Sequence, residues 1–250
     1  MSERYTREFY DDLSRTGLPS ARRIVPLLAA MMELSSVIDV GCGNGAWLSV
    51  FAEHGARRIV GLDNDWIGAD QLLIDAAAFQ RCDLSRPLPA EGPFDLALSL
   101  EVAEHLPPER AASFVAELAR LAPVVLFSAA IPGQGGVNHR NEQWPGYWAA
   151  LFASHGYRAI DTLRPRIWAM PEVTWWYKQN LVLFASAAAI AANPALAAAL
   201  EASPPGAPLA LVHPEKFLAT DRLTRPGLGR WLKMGRAALR RSLAPGRRSG

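Results

Sequence analysis

Cysteine is nearly absent: Cys42 and Cys82 are the only two in 250 residues, with no Cys-x-x-Cys pair and no His pair nearby. That excludes a disulfide framework, argues against a zinc site, and makes a reducing cytosol the expected compartment. Lysine is almost as scarce, with Lys178, Lys216 and Lys233 alone. None of them lies four residues after a tyrosine, which counts against a short-chain reductase. The start, "MSERYTRE", alternates charges without an apolar stretch, so no secretory signal is expected. One run lacks charge altogether, Gln179 to Leu200, "QNLVLFASAAAIAANPALAAAL". Its length would span a bilayer. It is rich in weakly hydrophobic alanine and carries Asn193-Pro194 near its middle, so the expectation is a buried strand, Leu181 to Ala185, then a helix begun by Pro194.

Net charge is small, +2, but unevenly spread. Residues 1–215 hold 16 basic and 23 acidic residues, and residues 216–250 hold 10 basic and 1 acidic. Three parts are predicted: a domain over 1–201, a Pro-rich linker over 202–214 ("ASPPGAPLALVHP") and a basic tail over 215–250. In the tail, Leu228, Trp231, Leu232, Leu239 and Leu243 fall roughly on one helical face with Arg and Lys on the other. Two readings fit that pattern: a solvated or disordered tail, and reversible contact with an anionic membrane surface.

Within 1–201, strand-like and helical stretches alternate. "SVIDV" (36–40), "RRIVGLD" (57–63), "FQRCD" (79–83), "FDLALSL" (94–100) and "PVVLFSA" (123–129) read as strands. "YRAIDTL" and "LVLFA" follow later. Helices are expected at "SARRIVPLLAAMMEL" with Ser20 as its cap, at "AWLSVFAEH" closed by Gly55, and at "PPERAASFVAELARLA". A further helix ends at Ser154. Alternation of this kind implies a mostly parallel sheet covered on both faces.

The strongest chemical signal is "VIDVGCGNGAW". Gly41, Gly43 and Gly45 directly follow the first strand, where missing side chains let backbone approach a ligand and turn into a helix. Alone, this also fits the dinucleotide fingerprint G-x-G-x-x-A with Ala46 in its third slot. The continuation discriminates. "GLDND" ends the second strand with Asp63, placed for a ribose diol, and Asn64 beside it. "RCDL" puts Asp83 and Leu84 after the third strand, with the acid suited to an adenine amino group. "SLEVAEHLP" follows the fourth.

This ordered series, from Val37 to about Pro107, resembles the class I S-adenosylmethionine-dependent methyltransferases. The resemblance implies an α/β, Rossmann-like, seven-stranded and mostly parallel sheet with helices on both faces and an antiparallel last strand. It implies S-adenosyl-L-methionine as cofactor. Asp39 and the glycines would lie near the methionine moiety, Asp63 on the ribose hydroxyls, Asp83 and Leu84 around the adenine, and Glu101 near the reacting end. Two non-functional readings stand beside these: Asp39 as a turn stabiliser and Asp83 as a surface loop acid.

After the fifth strand comes "GVNHRNEQWPGYW" (136–148), which crowds polar and aromatic groups into thirteen residues. Asn141 suits a helix N-cap, Glu142 a first helical turn and Pro145 a helix start, while Trp148 and Phe152 suit a core. His139 is the leading candidate for a general base or acceptor-orienting group, with His105 as its rival and Glu142 beside them. Asn138 and Gln143 are expected to orient an acceptor, and Trp144 to offer a stacking wall. No metal is expected. Together with "RPRIWAMPEVTWWYKQN", the segment looks like bacterial methyltransferases carrying His-x-Asn-Glu-Gln-Trp-Pro, often associated with glycan assembly. The resemblance thus implies a small-molecule or glycan acceptor in the cytoplasm. Two other readings remain: a silent cofactor-binding partner protein, and a nucleic-acid methyltransferase drawing on the basic tail. Against the latter, the catalytic half is acidic and no Asn/Asp-Pro-Pro-Tyr motif is present.

Overall fold

The computed structural model describes residues 7–64, 68–203 and 208–224. It divides into two units, Met1–Leu211 and Val212–Gly250. In the first unit α1 (Arg7–Ala29) leads into β1 (Ser36–Val40), α2 (Ala46–Glu53), β2 (Arg58–Asp63) and β3 (Phe79–Arg81). Next come β4 (Leu96–Leu100), α3 (Ala111–Leu121), β5 (Val124–Ser128) and α4 (Pro145–Ser154). The unit closes with β6 (Tyr157–Ile160), α5 (Arg164–Ile167), α6 (Trp175–Asn180), β7 (Val182–Ser186), α7 (Ala187–Ala192) and α8 (Pro194–Ala202). The second unit's described helix is α9 (Pro214–Thr224).

The seven strands form one sheet in the order β3-β2-β1-β4-β5-β7-β6. Pairs from β3 through β5 are parallel, and β7 runs antiparallel to both β5 and β6. Strand order therefore reverses between β1 and β4, the place where open parallel sheets hold ligands beyond their C-terminal ends.

The central strands are apolar without alternation because both of their faces are covered. Ile38, Ala97, Val125 and Phe127 join one cluster with Phe114, Leu118, Trp148 and Phe152 from α3 and α4. Their chain neighbours Val37, Leu96, Leu98, Val124 and Leu126 join the other, with Ile24, Leu28, Leu48, Phe51 and Leu196 from α1, α2 and α8. Trp148 and Phe152 are core residues as expected, and Phe152 stacks on Phe184 at 4.1 Å between ring centroids.

Several local expectations are corrected. The first helix begins at Arg7 and runs through Pro19 and Pro26, so Ser20 lies inside it rather than at its cap. The Ser20 hydroxyl donates to the Thr16 carbonyl one turn back (2.7 Å) and accepts from the Thr174 N–H (3.1 Å), tying α1 to the start of α6. Asn141 does not cap α4, because Pro145 fixes the helix start and Trp144 takes the cap position with extended backbone. Glu142 likewise precedes the helix instead of entering its first turn. The charge-free run resolves into β7, α7 and α8. Ser186 caps α7, and Asn193 caps α8 by accepting from Ala195 and Leu196 N–H. Among the described residues, no helix is long and apolar enough to cross a membrane. The amphipathic face from Leu228 to Leu243 lies outside the described residues.

Candidate active site

The β1-to-α2 turn is built on backbone geometry that side chains would prevent. Gly41, Gly43 and Gly45 all have positive φ, at 91°, 53° and 83°. A Cβ on Gly41 would stand 2.2 Å from Val102 Cγ2, so the glycine loop rests directly on the turn after β4. At Gly43 a Cβ would meet nothing within 4 Å, and the loop is open there. Asp63, at the end of β2, holds this loop: its carboxylate accepts from Gly43 N–H and Asn64 N–H, each at 2.7 Å. Burial nonetheless raises the Asp63 pKa above its ordinary value, with those two amides working against the rise.

Asp39, one residue before the end of β1, is 2% exposed. Its Oδ1 finds no hydrogen-bond partner among the described residues. Burial, followed by the nearby charge of Asp63, pushes its pKa up to about 7. A buried, unpaired carboxyl oxygen beside an open glycine loop suits a cationic ligand group, such as the ammonium of a methionine moiety. Asp83 lies two residues past β3 on the surface, where its carboxylate accepts from the hydroxyl and N–H of Ser85 (2.6 and 2.9 Å). These two bonds hold its pKa below the usual carboxylate value. Leu84 is packed into the core beside Leu88 and Phe94.

The second half of the site lies after β4 and β5. Glu101 takes a left-handed backbone conformation, φ 57°, and its N–H donates to the carbonyl (2.9 Å) and hydroxyl (3.1 Å) of Ser128. Its carboxylate accepts from Asn180 Nδ2 (3.0 Å) and Gln134 Nε2 (2.8 Å), and Gln134 Oε1 accepts from Asn180 Nδ2 and Gln179 Nε2. Burial raises the Glu101 pKa, opposed by these amides and Ser128. Gln179 is in turn held from behind: its carbonyl accepts from Arg164, a buried guanidinium that also pairs with Asp161 at 2.6 Å. Gln134, Gln179 and Asn180 were missed from sequence. The available signal was "KQN", two amides set directly before a fully apolar strand.

The segment 129–144 folds over this end. Arg140 N–H and Asn141 N–H donate to the Glu104 carbonyl (2.7 and 2.9 Å), locking the segment onto the turn after β4. His139 Nδ1 lies 2.8 Å from Glu142 Oε1, and the Glu142 carboxylate also accepts from Gly133 N–H (2.8 Å) and Gly135 N–H (3.2 Å). The His139 and His105 rings meet edge to face at 4.9 Å. The three candidate catalytic groups, His139, His105 and Glu142, are thus brought together. Gln143 donates to Asn141 Oδ1 (3.1 Å), and exposed Asn138 sits at φ 60°. Trp144 is 43% exposed and offers its ring to solvent.

The chain belongs to the family described as a methyltransferase domain, which matches residues 4–164. Its cofactor is S-adenosyl-L-methionine. A chloroplastic protein of Oryza sativa subsp. japonica, named probable tocopherol O-methyltransferase, is 38% identical over 96 residues, 35% of this chain and 26% of its own length. The chloroplastic tocopherol O-methyltransferase of Arabidopsis thaliana is 36% identical over 100 residues, 36% of this chain and 28% of its own length. The chain thus spans only about a quarter of the length of these curated relatives. Among solved structures, Streptomyces venezuelae DesVI superposes with a TM-score of 0.50 at 17% identity, covering 72% of this chain and 95% of its own. That likeness concerns the fold.

Proposed function

We propose that this protein transfers the methyl group of S-adenosyl-L-methionine to a hydroxyl of a polar acceptor, a sugar or a glycan-related small molecule. The observation that carries this reading is the meeting, at one edge of the sheet, of two differently built halves. One is a glycine loop with the unpartnered Asp39 carboxylate; the other is a polar wall of Glu101, His105, His139 and Glu142. The first suits the donor and the second a hydroxyl. Oxygen as acceptor agrees with the names of the two curated relatives. Polyol character agrees with exposed Asn138, half-buried Gln143 and the Trp144 ring, since amide and indole groups bind sugars by hydrogen bonding and stacking.

The donor sulfonium is already activated, so the protein's part is alignment and removal of the hydroxyl proton. The oxygen–carbon bond forms as the carbon–sulfur bond breaks, its electron pair staying on sulfur. Holding acceptor and methyl in line can supply most of the acceleration. His139 is the group assigned to the hydroxyl, because Glu142 fixes its ring through Nδ1 and leaves Nε2 for other work. Loss of His139 should lower turnover at least about a hundredfold with donor affinity nearly unchanged. The basic segment 215–250 is assigned to an anionic membrane surface, where a lipid-linked acceptor could be presented.

The test is turnover of labelled donor against fractionated polar metabolites, with mass analysis of the labelled product. A methyl ether on a hydroxylated acceptor supports the reading. Label appearing only on nitrogen, or donor binding without turnover on any fraction, overturns it.

A further inference from the structure

Glu104 has no part in the reading above, yet it is the most confined acid on the acceptor side. It is 1% exposed, and its Oε2 has no hydrogen-bond partner among the described residues. His105, the next residue, is in the same condition: its Nδ1 is buried and unpartnered. Two adjacent side chains with unpaired buried atoms indicate a missing partner. His139 completes the group. One donor atom from each of Glu104, His105 and His139 lies within 4.8 Å of the others.

We propose that Glu104, His105 and His139 bind a divalent first-row transition-metal ion of the zinc class. Two imidazoles and one carboxylate are the donor set of open, three-ligand sites, with the remaining positions free for a small oxygen ligand. Bonds of about 2.1 Å to a common centre set donors about 3–4 Å apart, so the side chains need to close by roughly an ångström. Glycines at 133, 135 and 136, next to His139 in the chain, allow that.

The surroundings are those of a ligand set. A ligating histidine ordinarily hands its other ring nitrogen to a carboxylate or carbonyl. His139 does so through Nδ1 to Glu142 at 2.8 Å. His105 does so toward the backbone carbonyls of Val137 and Asn138. Each ring is thereby oriented with one nitrogen left over. Glu101, Glu104 and Glu142 stand around this space, and a cation is the partner that relieves them.

The role of the ion in the reaction rests on the methyl-transfer reading; its binding does not. Glu104, His105 and His139 would hold the ion, and it would supply Lewis-acid polarisation of an acceptor hydroxyl, easing loss of its proton to water as the oxygen–carbon bond forms and the donor's carbon–sulfur bond breaks.

The test uses the full chain, stripped with chelator and titrated with Co2+, whose visible absorption reports ligation, followed by displacement with Zn2+. The expected result is one ion per chain. Glu104→Gln and His139→Ala should each weaken binding by more than a hundredfold. Glu142→Gln should weaken it by about 10- to 100-fold, as loss of a ligand's orienting partner does. His54→Ala and His155→Ala, both exposed, should leave it unchanged. Wild-type metal uptake should also raise the melting temperature, and Glu104→Gln should remove that rise while remaining folded. The proposal is overturned if the stripped wild-type chain takes up no ion, or if Glu104→Gln and His139→Ala bind as well as wild type. Donor affinity measured by calorimetry on the stripped chain separates the two claims. Donor binding without metal uptake sinks only the metal site, and metal uptake without donor binding sinks only the methyl-transfer reading.

Discussion

Asp39→Asn should make the protein more stable and a worse binder of its cofactor, in a manner set by pH. The folded pKa of Asp39 is about 7 against an ordinary value of 3.8, and the main cause is burial. Below about pH 3 the carboxyl is protonated in folded and unfolded chains alike, and it contributes no difference. As pH rises, the unfolded chain ionises first, and stability is lost until the folded pKa is passed. A shift of about 3 units at 1.36 kcal/mol per unit amounts to about 4 kcal/mol above pH 7. Roughly 3 kcal/mol of this develops between pH 5 and pH 8.

The amide that replaces the carboxyl in Asp39→Asn is neutral at every pH, so the variant lacks this penalty; its own unpaired group costs about 1–3 kcal/mol at all pH values. The gap between variant and wild type should therefore widen in the variant's favour by about 3 kcal/mol from pH 5 to pH 8. For a chain of this size that is about 6–12 °C in melting temperature. Cofactor affinity should move the opposite way, because the ammonium of the donor loses its anionic partner. Denaturant melts at both pH values, with calorimetry for S-adenosylmethionine, measure the two effects. A stability gap that is the same at pH 5 and pH 8 would refute the argument, since it would mean that Asp39 is not held near neutrality by burial.

Three further outcomes can be measured. Asp63→Ala frees the N–H groups of Gly43 and Asn64 and should weaken donor binding by about 1–3 kcal/mol; unchanged affinity with the fold intact would remove Asp63 from the site. Gly41→Ala combines φ 91° with a Cβ 2.2 Å from Val102 and should cost about 2–4 kcal/mol of stability, seen in denaturant melts. Adding Val102→Ala should recover only part of that loss, because it relieves the contact and not the backbone. The full chain should co-sediment with anionic vesicles more than a chain ending at Leu211, and equal sedimentation would remove the basic segment from membrane attachment.

The sheet was legible because its central strands are apolar on both faces and short, and each is punctuated by Gly, Pro or Asp. All seven strands fall, to within one residue, inside the stretches expected from sequence, and Gly55 closes α2 with φ 97°. What failed was capping. Ser20 and Asn141 have the chemistry of caps, but a proline overruled each in a different way. Pro19 is tolerated inside α1, where the Ser20 hydroxyl reaches back to Thr16 and across to Thr174. Pro145 starts α4 three residues beyond where an Asn141 cap would lead. Local propensity ranks the possible ends of a helix, and tertiary partners choose among them.

The site was legible in proportion to how far its residues share one short motif. Asp39, Gly41, Gly43 and Gly45 lie within seven consecutive residues, and their joint geometry follows from a single strand-to-helix turn. Asp83 stands apart from that turn, at the expected position after β3, where its carboxylate accepts from Ser85. The polar wall after β4 and β5 is assembled from four separate segments, Glu101 to His105, Gln134, His139 to Glu142, and Gln179 to Asn180. No spacing rule connects Glu101 with Asn180, which meet only because β7 returns antiparallel beside β5 and carries the end of α6 to that edge. Glu104 was hidden for a different reason. In sequence it is one acid beside a histidine on a short turn, and such pairs are common on surfaces. Its meaning depends on burial, because an unpaired carboxylate oxygen is ordinary in water and costly inside. The crowding of polar groups in residues 136–148 has the same origin. The loop satisfies its own Glu142 carboxylate with the Gly133 and Gly135 amides and His139, and it docks on the Glu104 backbone carbonyl through the Arg140 and Asn141 N–H groups.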